Sequence, residues 1–201
     1  LVTGGAGFIG SHVVEELQGK ADIIVVDNFK TGKKENLEGF DCKVIHGDIS
    51  DRKLLRKVLP AIDYIFHMAA AISVVESMEK PIEYVNTNTI GTLTVLEEAS
   101  RARVKKLLFC SSAAVYGENP ESPKREDMPT QPLSPYAITK LDGEHYCALF
   151  DREKKLKTVC ARFFNVFGPR QDPKSPYAAA IPIFISRAVR NEKISIYGDG
   201  G

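Results

Sequence analysis

Residues 3–11 read "TGGAGFIGS", whose Thr3 closes the short strand-like run "LVT" at 1–3. The stretch satisfies Gly-x-Gly-x-x-Gly at Gly5, Gly7 and Gly10, and the related Gly-x-x-Gly-x-x-Gly at Gly4, Gly7 and Gly10. Glycines at this spacing let the backbone turn sharply out of a strand and approach a pyrophosphate. The phosphates then sit on the free N–H groups and positive dipole end of the following helix. A lone match is weak, but this one follows a strand, opens a helix, and precedes by 17 residues Asp27, at the end of the strand-like "DIIVVD" (22–27). That is the setting a dinucleotide fingerprint requires. Gly4, Gly7, Phe8, Ile9 and Gly10 are therefore the candidate phosphate-side contacts.

A carboxylate at Asp27 would accept hydrogen bonds from ribose hydroxyls and repel a 2′-phosphate, which favours NAD over NADP. Lys30, Lys33 and Lys34 nearby blur that preference, and a solvated strand end competes as an explanation of Asp27. Asn28, Thr31 and Gly32 follow on the same connection. Asp48 and Ile49, after "CKVIHGD" (42–48), could bracket an adenine ring.

Outward from this loop, the strand-like and helix-like runs alternate. "YIFHMA" (64–69), "KLLFCSS" (106–112) and "TVCARFF" (158–164) are short and apolar on both faces, as strands of a parallel sheet covered on both sides would be. Between them lie helical spacings: Ile9, Val13 and Leu17; Leu54, Leu55, Val58 and Leu59; then Ile82, Val85, Thr89, Leu93 and Leu96, opened by Pro81. The order predicts an α/β fold, a Rossmann-type doubly wound parallel sheet with helices on both faces. The NAD-binding domain is expected over 1–163. From 164 the texture becomes turn-rich, with a helix around Ile181, Phe184, Ile185, Ala188 and Val189 and a strand at "KISIYG" (193–198); this reads as the start of a smaller substrate-binding region. The chain begins at Leu1 without Met and stops at "IYGDGG", so both ends read as cut.

Composition excludes several classes. The 201 residues are 43% hydrophobic and 26% charged, with 27 Lys plus Arg against 26 Asp plus Glu, a formal charge of +1. No global field favours nucleic acid or an anionic membrane, and no apolar run approaches the roughly 18 residues of a spanning helix. A cytoplasmic protein with a small-molecule partner is expected. Cys42, Cys110, Cys147 and Cys160 have no recurrent spacing, and the four His form no metal-ligand cluster, so neither a disulfide framework nor a metal is expected.

"YAITK" (136–140) places a tyrosine and a lysine at i and i+4, on one face of a helix. Alone it is equally a surface Tyr and Lys flanking a buried Ile138 and Leu141. In order along the chain, "TGGAGFIGS", "VDN" (26–28), "GDI" (47–49), "HMAA" (67–70), "NTIGT" (88–92), "SSAAVYG" (111–117), "YAITK" and "RFFNVFGPRQ" (162–171) resemble segments of the extended short-chain dehydrogenase/reductases. Within that family they are most similar to the NAD-dependent nucleotide-sugar epimerases and dehydratases.

The resemblance implies roles. Tyr136 and Lys140 correspond to the family's Tyr-x-x-x-Lys, in which the lysine assists the tyrosine as a base and bonds the nicotinamide ribose. A free tyrosine ionises near pH 10, and a neighbouring ammonium favours the phenolate. Ser112, more than its neighbour Ser111, corresponds to the catalytic Ser or Thr that orients the reacting hydroxyl. Ala69, Ala70 and Asn88 are implied cofactor contacts, and Ser73, Asn165, Ala180, Ile181 and Tyr197 implied substrate contacts. Ala113 and Ala114 stand where family dehydratases carry an Asp-Glu pair. The resemblance thus implies C4 epimerisation of a UDP-hexose through a transient 4-keto sugar. A dehydratase, decarboxylase or reductase of the same family, or a non-catalytic NAD sensor, are the alternatives. It also implies a homodimer formed through the helix beginning near Pro81 and the helix carrying Tyr136.

Overall fold

The computed structural model describes residues 1–172 and 180–196. The chain divides into two compact units, Leu1–Phe164 and Asn165–Gly201. The first holds six parallel strands: β1 (Val2–Thr3), β2 (Ile24–Asp27), β3 (Lys43–His46), β4 (Tyr64–His67), β5 (Lys106–Ser112) and β6 (Lys157–Phe163). Their spatial order is β3-β2-β1-β4-β5-β6. The direction of winding reverses between β1 and β4, and open α/β sheets bind ligands at the carboxyl ends of the strands flanking such a point.

Alternation along the strands sends apolar side chains to both faces. Val2 and Val25 point to one side, where they pack with Val14 of α1 (Phe8–Glu16). Leu1, Val26 and Leu107 point to the other, packing with Leu55 of α2 (Arg52–Val58) and Val95 and Leu96 of α5 (Gly91–Arg101). Glu98 of α5, buried, is gripped by Arg52 and Arg56 of α2 at 3.0 and 2.9 Å, locking the two helices together. On β6, however, Val159 and Cys160 are exposed, where a strand covered on both faces is expected. Among the described residues β6 is the sheet's edge, with β5 as its single neighbour.

The helical run from Pro81 begins as α4 (Pro81–Tyr84), widens into a π-helical turn at Val85–Ile90, and continues as α5. A further helix, α3 (Val74–Glu79), is capped by Ser73, whose Oγ accepts from Glu76 N at 3.0 Å. α6 (Pro135–Arg152) starts with Ser134 as N-cap and Pro135 in its first turn. The connection over 117–134 contains no helix or strand; Met128 packs beneath it against Val115 and Tyr116. In the second unit α7 (Ala180–Val189) forms as expected. The strand expected over 193–198 does not form over its described part, Lys193–Ile196, where no strand pairs with it; Lys193 O instead accepts from Arg187 Nη1 at 3.0 Å. No described helix is long and apolar enough to cross a membrane.

Candidate active site

β1 ends in the glycine loop. Gly4 takes a left-handed backbone (φ +68), and a Cβ there would lie 2.7 Å from Ala69 N, so the loop touches the segment that follows β4. A Cβ on Gly10 would lie 2.1 Å from Gly4 O, so only glycine permits α1 to start this close to the turn. Gly7 caps α1 without any side-chain bond, unlike the serine or aspartate caps of α2, α3 and α6. The first-turn N–H groups of α1, beginning at Phe8 and Ile9, are left for an anion.

Asp27 is buried at the tip of β2. Its Oδ2 accepts from Ala6 N at 2.9 Å and its Oδ1 from Phe29 N at 2.8 Å, which fastens the glycine loop to the β2 end. Gly32 lies against the same carboxylate, where a Cβ would stand 2.9 Å from Oδ1; Thr31 beside it is exposed. Asn28 Nδ2 donates to Asp48 Oδ2 at 2.8 Å, joining the ends of β2 and β3. Partial burial pushes Asp48 up, but bonds from Ser50 and Asn28 outweigh it and hold the carboxyl below the usual range. Ile49 gives its side chain to the core, against Gly91, so any contact it makes with a ligand falls to its backbone.

At the β4 end, His67 is fully buried between Thr3 and Thr92, with ring nitrogens 2.7 and 2.9 Å from their hydroxyls. Burial, and then the Lys140 ammonium, push its pKa down to about 3, so it is a neutral strut. Ala69 and Ala70 follow it, half-buried. Asn88, set by the π-helical turn, donates both amide hydrogens within the protein, to Ala71 O at 2.9 Å and Thr139 Oγ1 at 3.0 Å, while its Oδ1 accepts from Ala71 N. It clamps the β4 loop to α6. Ser73 is likewise engaged: its Oγ caps α3 and its N–H donates to Tyr84 Oη at 3.0 Å.

α6 lies close on β5 because Gly143 faces the Phe109 ring, where a Cβ would be 2.3 Å from Cζ. This approach carries Lys140 inward. Its exposure is 4%, and its Nζ donates to Cys110 O at 2.7 Å and stands 5.9 Å from the Tyr136 ring centre. Ile138, by contrast, is 47% exposed. A surface Lys beside a buried Ile138 is thus reversed. Ser112 ends β5, and its Oγ accepts from Ala114 N at 3.1 Å, capping the short turn Ala113–Tyr116. Tyr136, half-buried, Lys140 and the end of β5 come together at the carboxyl edge of the sheet.

Asn165, Ala180 and Ile181 belong to the second unit and are exposed there; Tyr197 lies outside the described residues. Thr3, His67 and Thr92, and a Ser111–Glu144–Arg162 cluster, escape a sequence reading, since each is assembled from residues far apart in the chain.

The uncapped α1, the glycine cradle and the buried Asp27 fit a dinucleotide such as NAD. Comparison with known proteins agrees. The putative UDP-glucose 4-epimerase of Methanocaldococcus jannaschii is 40% identical over 203 residues, spanning 100% of this chain and 66% of its own length. A UDP-N-acetylglucosamine 4-epimerase from Methanobrevibacter ruminantium, solved with UDP-N-acetylmuramic acid, superposes with a TM-score of 0.95 at 44% identity, covering 99% of this chain and 65% of that one. The UDP-glucose 4-epimerase of Thermotoga maritima, solved with UDP-glucose, gives 0.93 at 42% identity and the same coverage. The chain therefore spans just under two thirds of the length of these relatives. With residues 1–201 matching the family model described as "NAD dependent epimerase/dehydratase family", the chain belongs to that family, whose cofactor is NAD.

Proposed function

We propose that the protein is a nucleotide-sugar 4-epimerase acting on a UDP-hexose of the glucose/galactose type. The observation that carries this reading is the placement of Lys140. A buried ammonium anchored on Cys110 O, beside the Tyr136 ring and two residues before Ser112, suits a base at the carboxyl edge of the sheet better than a packing role. Bound NAD supplies the hydride acceptor and donor. Tyr136 takes the proton from the C4 hydroxyl and later returns it, Lys140 stabilises the phenolate by its charge, and Ser112 orients the hydroxyl. Ala113 and Ala114 leave this turn without the acid that elimination needs, which favours epimerisation over dehydration. Gly4, Gly7 and Gly10 with the α1 N-terminus hold the pyrophosphate and Asp27 holds the adenosine ribose; for the UDP the family resemblance assigns Asn165, Ala180, Ile181 and Tyr197.

A second sugar is favoured by the N-acetylglucosamine epimerase relative. The test uses the complete gene product with UDP-galactose and, separately, UDP-N-acetylgalactosamine, without added NAD. Appearance of either epimer supports the reading and identifies the sugar. Absence of both, with NAD released on denaturation, overturns epimerisation while leaving the family intact.

The same reading includes a homodimer. Ile82, Val85 and Ile90 on the α4–α5 run and Ile138 and Leu149 on α6 are exposed large apolar side chains on helices packed against each other, an apolar face suited to a second copy.

A further inference from the structure

Next to the Tyr136–Lys140 pair lies a second polar cluster. Arg162 on β6 donates through Nε to Glu144 Oε1 at 2.9 Å and through Nη2 to Glu144 Oε2 at 2.7 Å, a two-pronged ion pair. Ser111, buried on β5 and paired in register with Arg162, donates its hydroxyl to Glu144 Oε1 at 2.5 Å. The guanidinium also lies over the Tyr116 ring, 4.8 Å from its centre. The Glu144 and Arg162 side chains are 12% and 18% exposed. Burial pushes Glu144 up, but bonds from Arg162 and Ser111 outweigh it and keep the carboxyl below its ordinary range.

Such a pair is poorly explained by stability alone, because desolvation offsets much of the attraction and a well-packed apolar replacement is often as stable. What it joins is more informative. Ser111 directly precedes Ser112. Glu144 lies one turn beyond Lys140 on the same helix. Tyr116 closes the turn after Ser112, and its hydroxyl donates to Arg125 O at 3.0 Å, in the connection that leads to Tyr136. Ser111 meets the Glu144 carboxylate and Tyr116 the Arg162 guanidinium, so all three routes into the candidate active site meet at this one ion pair.

We propose that Glu144 and Arg162 are a positioning pair that sets Lys140 and Ser112 relative to each other; this rests on the site reading above. Without the pair α6 shifts on β5, the Lys140–Cys110 bond loosens, and the base loses its geometry, a kind of error that can cost about a hundredfold in rate. The glycine loop and Asp27 are untouched, so NAD and UDP-sugar binding change far less than turnover does.

The test compares Glu144→Gln and the milder Arg162→Lys, which keeps the charge but not the planar two-pronged grip. Two quantities are read in the complete gene product. One is kcat and KM on whichever UDP-hexose the parent epimerises; the other is the rate at which acetic anhydride acylates Lys140, followed by peptide mass spectrometry. Expected are a fall in kcat of about tenfold or more with KM within about threefold, and acylation faster by about fivefold. Parent-like acylation, or turnover within about twofold of the parent in both variants, overturns the proposal whatever happens to the melting temperature. Should the parent epimerise no UDP-hexose, the epimerase reading fails, and the acylation rate alone decides the positioning claim.

Discussion

Lys140 Nζ donates to the carbonyl oxygen of Cys110 at 2.7 Å, a bond that pins the first turns of α6 to the carboxyl end of β5. The ammonium is held by a backbone oxygen and is buried, so a strand end fixes its position and its long side chain is not left to fluctuate. If Tyr136 is the base that Lys140 assists, Tyr136→Phe removes the proton acceptor and keeps the ring. Turnover should fall by about 10²–10⁴-fold, the range for losing a positioned acid or base. NAD co-purifying with the variant, measured by release on denaturation, should match the parent.

Gly10 supports α1 at a distance no side chain tolerates. In Gly10→Ala the new Cβ meets Gly4 O at 2.1 Å and Gly5 Cα at 2.8 Å, both backbone, so the loop must open. Overpacking of this kind costs about 1–3 kcal/mol. Urea unfolding should register that loss, and the variant should elute from gel filtration depleted of NAD.

His67 predicts a specific acid sensitivity. Burial and the Lys140 ammonium lower its folded pKa to about 3, against 6.5 for the free side chain. A depressed histidine is neutral in the fold, so below pH 6.5 the unfolded chain binds a proton that the native protein does not, and stability falls with pH. The accumulated loss between pH 7.5 and pH 5 is about 2 kcal/mol, in a window above most carboxylate titrations. Urea midpoints of the parent should show this extra slope relative to His67→Gln. Identical slopes would remove His67 as its source.

How much of this was legible in the sequence follows from which interactions are local. The glycine loop, the strands of the first unit and the helix start at Pro81 are written in neighbouring residues and formed as those signals imply, whereas the strand expected over 193–198 did not over its described part. Helix α3 went unread although Ser73 and Glu76 carry a Ser-x-x-Glu start, because its apolar positions, Val74, Val75 and Met78, point outward and give no buried stripe. From the pentapeptide alone Lys140 is equally a surface residue, and the family resemblance is what singles it out; Gly143, which lets α6 settle on Phe109, is what buries it. Asn88 and Ile49 stand out by position, yet the π-helical turn aims Asn88 at Ala71 and Thr139, and Ile49, in the turn after β3, packs into the core against Gly91. Glu144 and Arg162, 18 residues apart, meet only through the packing of α6 on the β5–β6 edge.

The exposed apolar side chains of the α4–α5 run and α6 predict an association that charge would break. Ile82 is 71% exposed, and Ile82→Arg with Ile138→Arg should convert a dimeric mass to a monomeric one by light scattering at micromolar concentration. Both positions are too exposed for the fold itself to suffer; a parent that is already monomeric would end the dimer reading.

In the proposed epimerisation a hydrogen leaves C4 of the sugar as hydride and returns to the same carbon while Tyr136 handles only the hydroxyl proton. Epimerisation of UDP-galactose in D₂O, followed by NMR, tests this directly. Hydride transfer yields UDP-glucose that retains protium at C4, because the transferred hydrogen never exchanges with solvent. Deuterium at C4 of the product would mean carbon acid chemistry in place of hydride transfer, and would contradict it.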